Sequence, residues 1–198
     1  MSPRQASATI RRDLIAAAAR LIAQEGPAAL TLRRVASEVG TSTMAVYTHF
    51  GGMDELRREV RNVCYVALAA RLDDVAVTEA PLADLVELCR AYNAFAIDHP
   101  DLYRVMFLEA PLDEADAAAC AQTFTTLTAA VARCVDVEAL APGDPEAIAT
   151  ELWACGHGVA TLEITGLLTR EQAAGVATAL RSKLLTAQGA DPAELARA

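Results

Sequence analysis

Residues 31–56 read TLRRVASEVGTSTMAVYTHFGGMDEL, and this stretch decides the fold. The Thr31 hydroxyl can accept from a free backbone N–H, so Thr31 caps a helix running to about Val39. Val35 and Ala36 fall on its inner face, with Val39 one turn later. Gly40 supplies the left-handed conformation that ends a helix abruptly. Ser42 or Thr43 opens a short helix that ends near Phe50 and the Gly51-Gly52 pair, and Val46 returns to the same core. Two short helices crossed over a glycine turn, with a small Ala where they touch, make a helix-turn-helix. The second helix, residues 43–49, carries no acid on its outward side. Such a helix can enter a DNA major groove and set side chains against base edges.

Working outward, apolar residues recur at spacings of three and four, as in Ile10, Leu14, Ala17, Ala18, Leu21 and Ile22. Alanine, the best helix former, supplies about a fifth of the chain. No segment alternates as a strand does. The fold class is all-α with about nine helices. The first covers 9–24 and is closed by Gly26 and Pro27. Asp54 starts a long fourth helix to about Val77. Pro81 begins a fifth that stops near His99-Pro100, and a short sixth covers 101–109, broken by Pro111. Asp113 caps a seventh to about Val135. Asp144 followed by Pro145 opens an eighth reaching Leu168. Thr169 to Gln172 is a capping box for a ninth, to about Gln188, and the tail from Gly189 frays.

The 198 residues hold 17 Lys+Arg and 26 Asp+Glu, a net charge of -9, and are 54% hydrophobic. Such a chain can form a large core, which excludes disorder over most of it. The acidity is uneven: residues 1–62 carry +3 and residues 63–198 carry -12. One modestly basic face is therefore left for a polyanion. The apolar run at 14–19 is short and flanked by Arg, unlike a secretory signal, and nothing approaches the roughly 18 apolar residues of a membrane span. The expected location is cytoplasmic. Cys64, Cys89, Cys120, Cys134 and Cys155 show no CxxC and read as small buried hydrophobes of a reducing compartment.

The run Thr-Leu-Arg-Arg-Val-Ala, then Gly40, Tyr47-x-His49-Phe50 and Leu56, resembles the DNA-binding domain of the tetracycline-repressor (TetR) family over roughly residues 9–60. The resemblance implies a homodimer whose two recognition helices read a palindromic operator. It implies DNA contacts at Arg33, Thr43, Met44, Ala45, Tyr47, Thr48 and His49. Tyr47 and His49 would hold phosphates, Arg33 would reach a guanine edge, and Met44 or Ala45 a thymine methyl. Two positions depart from the family pattern. Met53 stands where a phosphate-holding Lys is usual, and Thr41 where an apolar residue is more common.

Two further stretches, AYNAFAIDHPDLYRVMF (91–107) and ELWACGHGVATLE (151–163), resemble the family members with a WHG-type C-terminal domain; the signature falls on Trp153, His157 and Gly158. Trp153 and His157, four apart, share a helix face. A glycine inside a helix costs about 1 kcal/mol against Ala, so Gly158, with Gly156, marks helices pressed together. His157 is either a core histidine on a buried carbonyl or an effector contact. The resemblance places an effector pocket among helices four to eight. Its candidate lining is Tyr92, Phe95, Tyr103, Met106, Phe107, Phe124, Trp153 and His157. No Lys/Arg cluster marks an anionic ligand, so the effector is mostly apolar. Ile148, Leu152, Val159, Leu162 and Leu167 of the eighth helix, with Ala173, Val176, Leu180, Leu184 and Leu185 of the ninth, offer a dimer face.

The domains are accordingly 1–55, a helix-turn-helix DNA-binding domain, and 56–198, a helical effector-binding and dimerisation domain. His49, His99 and His157 are scattered, without an HExxH motif. Cys155 and His157, two apart, diverge by about 200° on a helix and cannot share a metal. No phosphate loop or GxSxG appears. An enzyme, a metal site and a cofactor are not expected. The expected function is a ligand-responsive transcriptional regulator, most simply a repressor, which binds operator DNA as a homodimer and is released by a small, mostly apolar effector. The alternative is a helical ligand- or protein-binding dimer that has lost operator binding.

Overall fold

The structure, a computed structural model, describes residues 3–108 and 114–198. It contains α1 (Pro3–Glu25), a 3-10 turn (Pro27–Ala29), α2 (Leu32–Val39), α3 (Thr43–Phe50) and α4 (Met53–Asp73). Then come α5 (Pro81–Asp98), α6 (Pro100–Phe107), α7 (Glu114–Asp136), α8 (Pro145–Ile164), α9 (Arg170–Ala187) and α10 (Pro192–Leu195). Among the described residues there is no strand, and no helix is long and apolar enough to cross a membrane. The expected break at Pro111 and cap at Asp113 lie outside the described residues.

Three helix ends differ from the sequence expectation. α1 begins at Pro3 rather than Thr9, because proline in a first turn lacks only an N–H that would have no helical partner. α4 stops at Asp73, four residues before Val77. Asp73 and Asp74 put negative charge at the negative end of the helix dipole, and β-branched Val75 follows. α8 stops at Ile164, not Leu168, because Gly166 turns left-handed (φ +77) and Leu167 and Leu168 donate back to the Leu162 carbonyl.

The tail does not fray. Asp191 caps α10, accepting from the Ala193 N–H at 2.8 Å, and Ala190 is buried. Arg90 donates to the Ala198 carbonyl at 2.6 Å, and Ala141 N–H to the Gln188 carbonyl at 2.7 Å. A tenth helix is thus added to the nine expected.

The described residues pack as two compact units, and α4 and α7 contribute to both. The first holds the described parts of 1–66 and 99–119. There α1 packs on α2, α3 and α6, burying Leu14, Ala18, Ile22, Val35, Val46 and Leu56. Each large aliphatic side chain so buried contributes roughly 1.5–3 kcal/mol. Val39 is only half-buried. Arg61 of α4 and Asp116 of α7 form a bidentate ion pair, both contacts at 2.8 Å, with Asp116 fully buried.

The second unit holds 67–98 and 120–198. Here α8 packs on α9 and α5 around Leu85, Val131, Leu140, Ile148, Leu152 and Leu185. Cys134 belongs to this core, and Cys64 is buried in the first unit. Burial pushes the Cys64 thiol up to about 12 and those of Cys89 and Cys134 to about 11, so they stay protonated.

Candidate nucleic-acid interface

Local chemistry sets the angle between α2 and α3. The Thr31 hydroxyl accepts from the Arg34 N–H at 3.3 Å and starts α2. Gly40 (φ 69, ψ 33) ends it, and the Thr41 N–H closes back on the Ala36 carbonyl at 2.9 Å. Of the two expected caps for α3, Ser42 is the one used, its Oγ accepting from the Ala45 N–H at 3.2 Å. Val46 and Phe50 anchor α3 in the core. The Arg11 guanidinium sits 5.3 Å from the Phe50 ring centre and pairs with Glu59 at 2.6 Å, tying α1, α3 and α4 together.

What α3 leaves outside is mostly apolar or neutral. Met44 is 68% exposed and Tyr47 47%. Thr43 and Thr48 are exposed, while Ala45 and His49 are half-buried. The Thr48 hydroxyl donates to the Met44 carbonyl at 2.9 Å, which leaves its lone pairs and methyl outward. Arg33 and Arg34, neighbours in the sequence, separate here. Arg34 is bound to Glu25 at 2.6 Å and lies 3.9 Å from Glu38. Arg33 is exposed and has no acidic partner among the described residues. Met53 opens α4 together with Asp54 and Glu55. All seven expected DNA-contacting residues lie on α2 and α3.

The eight expected effector residues divide between the units. In the first, Tyr103 and Met106 are fully buried, and the Phe107 ring lies 4.8 Å from Tyr103 and 5.6 Å from Tyr65. The Tyr65 hydroxyl, absent from the sequence expectation, donates to the Met106 carbonyl at 3.1 Å. In the second, Trp153 gathers Tyr92, Phe124 and His157. Its Nε1 donates to the Tyr92 hydroxyl at 3.2 Å, and the rings of His157 and Phe124 lie at 5.7 and 6.3 Å. Phe95 is buried on α5. Burial pushes His157 below its usual value, so its imidazole is neutral at neutral pH. The close helix approach falls at Gly156, where a Cβ would stand 3.3 Å from Asn93 Oδ1, and not at Gly158, where it would meet nothing within 4 Å.

Sequence families agree with this architecture. Residues 14–60 match the model of the bacterial regulatory proteins of the tetR family, and residues 85–187 that of the tetracyclin repressor-like C-terminal domain.

The chain belongs to the TetR family.

It is 27% identical over 158 residues to the uncharacterized HTH-type transcriptional regulator Rv0681 of Mycobacterium tuberculosis, covering 80% of this chain and 72% of that one. A solved protein of unknown function from Rhodococcus sp. RHA1 superposes with TM-score 0.78 at 26% identity, over 90% of this chain and 95% of that one. RolR, solved in complex with resorcinol, shares the fold: TM-score 0.74 at 12% identity, over 98% and 94%. TetR-family members are transcription regulators rather than enzymes, and the helix-turn-helix is their DNA-binding element.

Proposed function

We propose that this TetR-family protein is a ligand-responsive repressor that binds a palindromic operator as a homodimer. The observation that carries this is the outward face of the helix-turn-helix. Arg33, Met44, Tyr47 and Thr48 stand exposed there on two capped helices, with acid absent from α3. Arg33 and Met44 specify bases, while Tyr47 and His49 position the backbone. Residues 1–55 do the DNA work, and residues 56–198 the effector and dimer work.

Dimerisation uses the outward sides of α8 and α9. Of the expected dimer residues, Ile148, Leu152, Val159, Ala173 and Leu185 are buried within the chain's own core. Leu162, Leu167, Val176 and Leu180 remain exposed, at 38%, 72%, 36% and 37%. Ala154, Gly158 and Leu162 recur every four residues on α8, so a second copy can approach that face closely. The effector is small and mostly apolar, with the Tyr92–Trp153 pair and neutral His157 as its polar contacts. It acts by binding better to a state whose half-site spacing, roughly 34 Å, is lost.

A mobility-shift assay at several salt concentrations, on DNA flanking the protein's own coding region, tests the reading. A sequence-preferring complex that weakens with salt is expected. Without a sequence-preferring complex even at low salt, the chain is a helical dimer that has lost operator binding.

A further inference from the structure

Within the second unit, a cleft of about 340 Å³ opens between the end of α4, the α4–α5 connection, α5 and the middle of α7. None of the effector residues expected from the sequence lines it. Leu72, Val75, Leu88, Ala129 and Ala130 make its walls apolar, and Val77, 78% exposed, stands at its edge. The volume is at the small end of ligand sites, roughly 300–1,000 Å³.

The polar side of the cleft is formed by Asp84 and Arg133. Asp84 is only 8% exposed. Its carboxylate accepts from the Thr78 N–H at 2.8 Å, the Thr78 hydroxyl at 2.7 Å and Arg133 Nη1 at 3.1 Å, so its acceptor sites are engaged. Arg133 also gives Nη2 to the Thr78 carbonyl at 2.8 Å. A guanidinium has five N–H donors, and these bonds use two. The others have no partner among the described residues. The Thr125 and Thr126 hydroxyl protons are directed to the Ala121 and Gln122 carbonyls, at 2.9 and 3.4 Å. Among the polar side chains of the lining, the unused donors therefore come from Arg133. The charges on the lining, Asp73, Asp84 and Arg133, sum to one negative, which disfavours an anion.

We propose that this cleft binds a small neutral molecule with an apolar chain and a carbonyl oxygen at one end, such as a medium-chain ketone, ester or lactone. The ligand's apolar chain covers half-buried Val75 and exposed Val77 of the α4–α5 connection, and the carbonyl accepts from Arg133. The proposal does not rest on operator binding.

The test is a titration of the full chain with 2-heptanone, followed by methyl NMR, beside heptanoate of similar length and opposite electrostatics. Saturable shifts at the Leu72, Val75, Val77 and Leu88 methyls are expected, with heptanoate at least about tenfold weaker. Ala129→Phe fills the cleft from an exposed position and should weaken 2-heptanone at least about tenfold without lowering Tm. Three results overturn the proposal: no saturable shift up to the solubility limit, shifts elsewhere that survive Ala129→Phe, or equal binding of heptanoate. Operator binding is read separately by mobility shift, so failure of either reading leaves the other standing.

Discussion

Glu25 at the end of α1 and Glu38 of α2 flank the Arg34 guanidinium, and the neighbouring Arg33 is exposed without an acid beside it. Arg33→Ala should relax operator preference at one base pair, by about 1–3 kcal/mol of discrimination. Tyr47→Ala should weaken all sequences alike, since a phosphate contact carries no base information. A mobility-shift series over single-base operator variants separates the two, and a Tyr47→Ala protein binding as wild type would refute the docking. Met53→Lys should add one phosphate contact, tighten binding and steepen the slope of log K against log salt by about 0.9. An unchanged slope would mean that position 53 does not face the backbone. The candidate residues themselves came from the resemblance to the family, which fixes their positions on α2 and α3. Their standing was not legible in the sequence: the acid that holds Arg34 lies nine residues back, across a turn, and Ser42 and Thr43 are equally good caps until one hydroxyl meets the Ala45 N–H.

Helices end where chemistry at a single residue forbids another turn. Asp144-Pro145 announces α8, and the same pair at Asp191-Pro192 announces α10, yet the tail was expected to fray. Gly166 marked the end of α8 in plain sequence. The packing that decides Gly156 against Gly158 could not be read, because both lie inside one helix and only the crossing with α5 tells them apart. Gly158→Ala should gain up to about 1 kcal/mol of helix stability in thermal melts of dilute protein. Gly158→Trp should drive the protein to monomer in analytical ultracentrifugation; an unchanged dimer would remove that face of α8 from the interface. Asp84 orders the α4–α5 connection. Burial pushes its carboxyl up, but the Thr78 N–H and hydroxyl and the Arg133 guanidinium outweigh this and hold it below the usual range. Its contribution is thus complete above the ordinary carboxylate value of about 4 and is lost as pH falls through the lower folded value. Asp84→Asn should lose about 1–3 kcal/mol in urea unfolding at neutral pH. Below about pH 4 the gap to wild type should close, and a gap independent of pH would contradict the assignment.

Across the whole chain, fold class and charge division were visible from alanine content, helical spacing and the placement of charges. Helical spacing and alanine content leave little else to build, and a +3 segment followed by a -12 segment needs no coordinates. Membership of the two units was not visible. α6 follows α5 in sequence, yet its Tyr103 and Met106 are buried in the first unit, where the Tyr65 hydroxyl reaches the Met106 carbonyl. Chain order says nothing about such a return. The Arg61–Asp116 pair, 55 residues apart, is a second long-range contact of that unit. Asp116→Ala should cost about 3–5 kcal/mol in urea unfolding, because it takes the bidentate carboxylate away from a buried guanidinium. Arg61→Met with Asp116→Leu should recover most of that loss, and a double variant as weak as the single one would contradict this. The pair also has a thermal signature. Hydration of charged groups carries a strongly negative entropy, so withdrawing Arg61 and Asp116 from water becomes less unfavourable on heating. Any advantage that the apolar double variant holds in the cold should therefore shrink steadily as the melting range is approached.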